Sequence, residues 1–236
     1  MKALVLAGGR GTRLAPYTMM LPKPLLPIGD KPILDIVIRQ LRYHRFNDIT
    51  LAVGYLAELL MAYFGDGERF GASIKYSREE QPLGTAGPIA LVSNLNDRFL
   101  VMNGDVLTAL DYTDMLANHR ASGAIGTAAV YPRSVKIDLG VVEYDEQYRL
   151  TTYIEKPTHH YRASMGIYIF EPRVLHFIPK NQRLDLPDLV ANLVAAGEIM
   201  NCYPYDGYWL DIGRPDDYAQ AAADFETISA QLLPPE

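Results

Sequence analysis

Lys2-Ala-Leu-Val-Leu-Ala7 runs directly into Gly8-Gly-Arg-Gly-Thr-Arg-Leu14, and Lys23-Pro-Leu-Leu-Pro27 follows nine residues later. Leu4, Val5 and Leu6 are consecutive apolar residues cut off by glycine, the mark of a short buried strand. Gly8, Gly9 and Gly11 then free the backbone to turn and to bring its N–H groups close to a ligand. A run of such N–H groups makes a concave anion site. Arg10, Arg13 and Lys23 hang cations over the same stretch, which is the composition a polyphosphate requires. The plain alternative is a glycine-rich turn with solvated charges. The loop is not a Walker A motif, since no Lys-Ser or Lys-Thr follows the last glycine. Nor is it the dinucleotide fingerprint, since Leu14 stands where the third glycine belongs.

Outward from this loop the pattern alternates. Asp30-Lys31-Pro32 suits a helix start, and Ile33, Leu34, Val37, Ile38 and Leu41 share one helical face. A strand is expected over Asp48–Val53, a helix over Leu56–Phe64, a strand over Ala72–Tyr76, a helix over Gly84–Leu95 and a strand over Phe99–Met102. Strand alternating with helix predicts an α/β fold, Rossmann-like, with helices on both faces of a mixed, mainly parallel central sheet. After about residue 120 the chain becomes strand-rich: Ala124–Tyr131, Leu139–Tyr144, Arg149–Ile154 and Ser164–Phe170. Helices return at Leu186–Ala196 and from Pro215 to about Ser229, and the tail Leu232–Glu236 is expected to be loose. No repeat, linker or low-complexity tract divides residues 1–236, so one domain is expected.

The 236 residues are 49% hydrophobic and 21% charged, ordinary for a globular protein with a substantial core. A net charge of −6 argues against broad nucleic-acid binding. The single cysteine, Cys202, excludes an intramolecular disulfide and a cysteine-based zinc cluster, and its apolar-aromatic neighbours predict a buried structural thiol. No stretch approaches the ~20 apolar residues of a membrane helix. The apolar N-terminus is too short for a signal peptide, so a cytoplasmic protein is expected.

Ligands of open α/β sheets bind beyond the carboxyl ends of the strands. The glycine loop lies there, and so does Asp105, just after the Phe99–Met102 strand. A carboxylate beside bound phosphates calls for an intervening cation, and Mg²⁺ takes one or two carboxylates plus phosphate oxygens; capping of a turn is the plain alternative. Asp211, in Trp209-Leu-Asp-Ile-Gly213, is a second metal candidate. Glu155-Lys156-Pro157 pairs a cation with an acceptor, as a phosphorylated sugar needs. Gln81-Pro-Leu-Gly-Thr-Ala-Gly87 is a second glycine-containing loop, and an amide side chain can read a base edge. The histidines at 44, 119, 159, 160 and 176 show no ligand spacing, and no serine or cysteine nucleophile motif occurs.

Taken in order, Leu6-Ala-Gly-Gly-Arg-Gly-Thr-Arg-Leu14 with Pro22-Lys23-Pro24, Gln81–Gly87, Asn103-Gly-Asp105, Gly140-Val-Val-Glu143, Glu155–Pro157 and Trp209–Gly213 resemble the sugar-1-phosphate nucleotidyltransferase family across nearly the whole chain. The resemblance implies the reaction NTP + sugar 1-phosphate ⇌ NDP-sugar + pyrophosphate, with Mg²⁺ on Asp105 and Asp211. It implies that Leu6, Ala7, Gly8, Gly9, Gly11, Thr12, Gln81, Gly84 and Thr85 bind the nucleotide, and that Arg13 and Lys23 are catalytic. Asn103, Gly140, Glu155, Lys156, Ser164 and Gly166 would face the sugar phosphate. About 1–120 would form the nucleotide part and about 121–236 the sugar part.

The chain departs from the family at Ser164-Met165-Gly166, where many members carry Asn-Ala-Gly, which leaves the sugar open. As given, it also lacks the β-helical acyltransferase domain of bifunctional members. Residues 22–32 and 82–87 look most like guanylyltransferases acting on mannose or heptose 1-phosphate; thymidylyl- or uridylyltransferase on a glucose-type 1-phosphate is the runner-up. A non-catalytic nucleotide-sugar-binding regulatory subunit is the alternative of another class. The partners expected are small molecules, with no nucleic acid and no membrane, in a homo-oligomer.

Overall fold

A computed structural model describes residues 1–233. In chain order its strands and helices are β1 (Lys2–Leu6), β2 (Pro27–Ile28), β3 (Lys31–Pro32), α1 (Ile33–Tyr43), β4 (Asp48–Val53), α2 (Ala57–Phe64), β5 (Ser73–Arg78), β6 (Phe99–Asn103), β7 (Val106–Thr108), α3 (Tyr112–Ser122), β8 (Gly126–Lys136), β9 (Val141–Tyr144), β10 (Leu150–Ile154), β11 (Thr158–Phe170), α4 (Leu186–Ala195), β12 (Met200–Pro204), β13 (Trp209–Asp211) and α5 (Pro215–Leu232).

Seven strands form one sheet in the order β12-β8-β11-β6-β1-β4-β5. β6, β1, β4 and β5 run parallel, as does β12 to β8, while β11 is antiparallel to both neighbours. Apolar side chains of β1 alternate between the two faces. Ala3 and Val5 pack with Leu34, Val37 and Ile38 of α1, Leu60 of α2 and Met115 of α3. Leu4 packs on the opposite face with Leu186, Leu189 and Leu193 of α4. A third cluster joins Ile33 and Ile36 to Leu107, Ile212 and Phe225, fastening α5 and the β7–β13 ladder to α1. The expected mainly parallel, helix-covered sheet is therefore present.

Local expectations fare unevenly. β4 falls where the apolar run placed it. Asp30 does not cap α1: it pairs with Lys31 in the β2–β3 turn at 2.7 Å, and Pro32 occupies the cap position. The expected helix over Gly84–Leu95 is only a short 3₁₀ turn, Gly87–Leu91, because the Gly87 N–H donates to the Leu184 carbonyl, while the Leu83 carbonyl, its acceptor in such a helix, is taken by the Leu184 N–H. α3 was not expected. It buries only Tyr112, Met115, Leu116 and His119, too few for a clear apolar stripe, and its start is fixed by Asp111 accepting from the N–H groups of Thr113 and Asp114. β8 and β11 run past the sheet as a paired ribbon, Tyr131–Lys136 against Thr158–Ala163. The β9–β10 hairpin completes this arm.

Cys202 is exposed, not buried: it lies on the edge strand β12, where alternation half-buries Asn201 and Tyr203 and turns Cys202 outward. Leu232 is not loose either, since it is fully buried at the end of α5. Leu233 is half-buried, its N–H bonded to the Ser229 carbonyl at 2.7 Å, and the last part of the expected loose tail, 234–236, lies outside the described residues. Among the described residues no helix is long and apolar enough to cross a membrane.

Candidate active site

The glycine loop leaves the carboxyl end of β1 and folds back on itself. Gly11 adopts φ 60°, and a Cβ there would lie 3.0 Å from Thr18 Cγ2 and 3.3 Å from Lys23 Cβ. Thr18 Oγ1 donates to the Gly11 carbonyl at 2.8 Å. This close return brings Lys23 under the glycines. Gly9 opens onto free space, with nothing within 4 Å of where its Cβ would be. Leu14, fully buried in the third cluster, anchors the loop; Ala7 is held by its N–H on the Ala52 carbonyl at 2.8 Å. Leu6 ends β1 half-buried, and Thr12 starts a 3₁₀ turn with its side chain exposed.

Asp105 arrives from the adjacent strand. The chain leaves β6 through Gly104, whose N–H bonds the Leu6 carbonyl at 2.9 Å and whose Cβ would sit 3.0 Å from that same oxygen. Lys23, only 8% exposed, forms an ion pair with Asp105 Oδ2, while Asp105 Oδ1 is buried without a hydrogen-bond partner. The β7–β13 ladder sets Asp211 opposite Val106, and the Ile212 N–H donates to the Asp105 carbonyl at 3.1 Å, which brings the two acids together.

Burial raises the Asp211 pKa, and repulsion from Asp105 adds to it; the charges of Lys23 and Arg13 partly offset this. The residue as a whole is nonetheless exposed to solvent. Arg13 lies at the same place: its guanidinium nitrogens are 3.6 Å from where a Gly213 Cβ would be, and it forms no ion pair among the described residues. Two acids and two cations thus converge from four separate segments, with an unpaired, buried carboxylate oxygen at the centre.

Past β4 and β5 lies a second group. Gln81 is exposed. Gly84 adopts φ 78° and is packed so closely on the next segment that a Cβ would lie 2.5 Å from Asp185 Oδ1. Thr85 is tied into the same contact: its N–H donates to Asp185 Oδ1 at 3.0 Å, and its Oγ1 accepts from the Leu186 N–H at 2.7 Å, capping α4. Glu79, which nothing in the sequence distinguished from Glu80, faces the glycine loop: a Cβ at Gly8 or at Gly54 would lie 3.0 Å from its Oε1.

The residues expected at the sugar fall into two places. Asn103, at the tip of β6, lies against Gly166, whose φ of 72° opens a bulge in the β8–β11 pairing; a Cβ there would be 2.6 Å from Asn103 Nδ2. Ser164 belongs to the same bulge, with Oγ 2.7 Å from the Tyr168 hydroxyl and accepting from the Gly166 N–H at 3.3 Å. Gly140 and Glu155 meet on the arm beneath Tyr153, whose hydroxyl donates to Glu155 Oε2 at 3.1 Å, and Lys156 Nζ is 4.0 Å from Glu155. Among the described residues no ion pair joins this group to Lys23, Asp105 or Asp211. Arg133, also missed in the sequence, stacks over Trp209 at 5.1 Å, and the Trp209 indole N–H donates to the Met165 carbonyl at 3.1 Å.

The Nucleotidyl transferase family profile matches residues 2–228. The chain belongs to that family. It is 39% identical over 241 residues to the UTP–glucose-1-phosphate uridylyltransferase of Synechocystis sp., covering 94% of this chain and 62% of the relative. It is 35% identical over 230 residues to the mannose-1-phosphate guanylyltransferase of Mycobacterium tuberculosis, covering 94% and 64%. The chain thus spans just under two thirds of the length of these two relatives. Among solved structures it is similar to a putative glucose-1-phosphate thymidylyltransferase from Bacillus anthracis, with a TM-score of 0.77, 25% identity and 98% of each chain covered. The family's shared fold is thus the one seen here, and relatives of this chain differ in the base and sugar they carry in their names.

Proposed function

We propose that the protein is a sugar-1-phosphate nucleotidyltransferase, converting NTP and sugar 1-phosphate to NDP-sugar and pyrophosphate. The observation that carries this reading is the convergence of Arg13, Lys23, Asp105 and Asp211 beyond β1 and β6, under an open glycine cradle. A phosphate oxygen of the sugar 1-phosphate attacks the α-phosphorus in line. A new P–O bond forms as the bond to the β-phosphate bridging oxygen breaks, and pyrophosphate leaves with that electron pair. Such transfer asks the protein for positioning and charge neutralisation, with no covalent nucleophile. Lys23 neutralises the α-phosphate and the incoming phosphate, and Arg13 the departing pyrophosphate. Both are needed in a protein of net charge −6.

The unpaired Asp105 Oδ1 and the Asp211 carboxylate fit a hard divalent cation such as Mg²⁺. Among the described residues no set of three or more acids, histidines or cysteines gathers, so the remaining ligands would be substrate oxygens and water. When bound, the cation would neutralise phosphate oxygens as charge moves onto the leaving group.

Residues 1–120 would hold the nucleotide and 121–236 the sugar phosphate, with Asn103 and Gly166 at the boundary. GTP with a mannose- or heptose-type 1-phosphate is the substrate pair we favour. The Synechocystis relative supports a uridylyl alternative on a glucose-type sugar. The reading places the enzyme in the cytoplasm, with its nucleotide supply, as a homo-oligomer; exposed Val142, Tyr144, Leu150 and Tyr153 on one face of the β9–β10 hairpin support self-association. The test is a pyrophosphate-release screen of five nucleoside triphosphates against a panel of sugar 1-phosphates. Release from at least one pair is expected. No release from any pair, with NDP-sugar binding retained, would instead mark a non-catalytic binding subunit.

A further inference from the structure

We infer that Arg133 is a positioning residue that holds the arm in register with Asp105 and Asp211, an inference that rests on the reaction proposed above. The residues of the proposed site are split between two parts of the molecule. Lys23, Asp105 and Asp211 stand on the body of the protein, whereas Gly140, Glu155 and Lys156 stand on the arm. Two strands carry the arm, and their pairing shifts register between Ser164 and Tyr168, where Gly166 takes φ 72°. A bulge at the root bends such a ribbon and gives it a place to pivot. In-line attack tolerates little play, because reacting groups displaced by about 1 Å lose rate steeply.

Arg133 crosses from arm to body. It stands on β8 opposite Tyr161, beyond the bulge, and its guanidinium carbon lies 5.1 Å from the centre of the Trp209 ring and 5.7 Å from that of Tyr131. The two rings are themselves 5.1 Å apart. Trp209 is on β13, two residues before Asp211, and its indole N–H donates to the Met165 carbonyl, next to Gly166. One ring thus touches the arm, the root of the arm and the strand that carries Asp211. By contrast, among the described residues the ion pairs of the arm, Lys136–Asp138, Arg149–Asp145 and Lys156–Glu155, stay within it, as do the side-chain hydrogen bonds of Arg149 and Tyr153. Arg133 has no ion pair among the described residues, so its charge is left to the rings. A cation over an indole face is held electrostatically and depends on that charge. Without it the arm drifts, and sugar phosphate binds only the fraction of molecules in which both halves are aligned. Saturating sugar phosphate draws the arm back, so kcat is spared.

The test uses the full chain, as wild type, Arg133→Lys and Arg133→Gln. Trp209 is the single tryptophan, so acrylamide quenching of its fluorescence reports this stack without turnover. Quenching should rise in Arg133→Gln and stay near wild type in Arg133→Lys, which keeps a cation over the ring. Kinetics follow with the nucleotide and sugar 1-phosphate that release most pyrophosphate in the screen above. In Arg133→Gln the KM for the sugar 1-phosphate should rise about 3–10-fold, with kcat and the KM for the nucleotide within about twofold of wild type. Arg133→Lys should recover most of the loss. Unchanged quenching in Arg133→Gln, or Arg133→Lys no better than Arg133→Gln, overturns the inference. So do equal rises in both KM values, and so does a lower kcat with both KM values unmoved, which would mark a merely structural contact. Each of these results leaves the reaction standing. No release from any pair in wild type removes the reaction and the role of Arg133 in it together.

Discussion

Asp211→Asn should stabilise the ligand-free protein and disable it. The raised pKa of Asp211 means that its ionised form is disfavoured by the fold, first by burial and then by the Asp105 charge; Lys23 and Arg13 repay only part of this. The sign follows: a folded pKa above the unfolded value puts the penalty in force at neutral pH and removes it in acid, where the group is protonated. An amide of the same shape carries no such penalty and leaves no cavity. Asp211 is exposed, so solvent screening discounts the gain to about 0.5–1 kcal/mol. For a chain of this size that is roughly 1–4 °C in Tm. Turnover should fall about 10²–10³-fold, as for other groups that stabilise developing charge. The assay is thermal unfolding by circular dichroism in EDTA, then with Mg²⁺ and nucleotide, beside pyrophosphate release. In EDTA the variant should melt higher; with ligands wild type should gain more. A lower Tm in EDTA would show that the acids are a structural pair held by Lys23, and near-normal turnover would remove Asp211 from the site.

Lys23→Ala should lower turnover about 10²–10³-fold through lost charge neutralisation; if only the KM for sugar phosphate rises, Lys23 binds the ground state and the role given to it is wrong. Thr85→Ala removes the cap on α4 and should cost about 1 kcal/mol, seen as a lower Tm with an unchanged GTP-to-UTP ratio; a shifted ratio would return Thr85 to the base. His119 is buried against Thr127 and 3.4 Å from Glu171, and burial lowers its pKa despite that acid. The unfolded chain therefore binds the proton better, and stability should decline as pH falls through the unfolded value of about 6.5. Urea titrations across that range should show this slope in wild type and a flatter one in His119→Gln.

What could be seen in the chain beforehand depended on local pattern. The apolar run of β1 stops at glycine, and β4 is a mostly apolar stretch interrupted by Thr50, so both strands and the placing of the loop at a carboxyl edge follow from neighbours in sequence. α3 lacks such a pattern, because its stability comes from a capping aspartate and a few contacts with the sheet. Gly84–Leu95 does carry helix-like spacing, but Leu184, remote in sequence, takes up both the Gly87 N–H and the Leu83 carbonyl that the helix would have paired. Cys202 has apolar neighbours and is exposed all the same, since exposure on an edge strand is set by which face is covered.

By itself the sequence determined the fold class, the place of the glycine loop and which residues could be proposed to handle phosphate and metal, because each is written in adjacent residues. Only the tertiary structure decided which of them meet. The β7–β13 ladder joins Asp105 to Asp211, the close packing at Gly11 sets Lys23 beneath the loop, and the parallel order of β1, β4 and β5 turns Glu79 towards Gly8. These contacts depend on strand pairing between distant segments, and on where a missing Cβ leaves room for another side chain. Neither has a local signature in the chain.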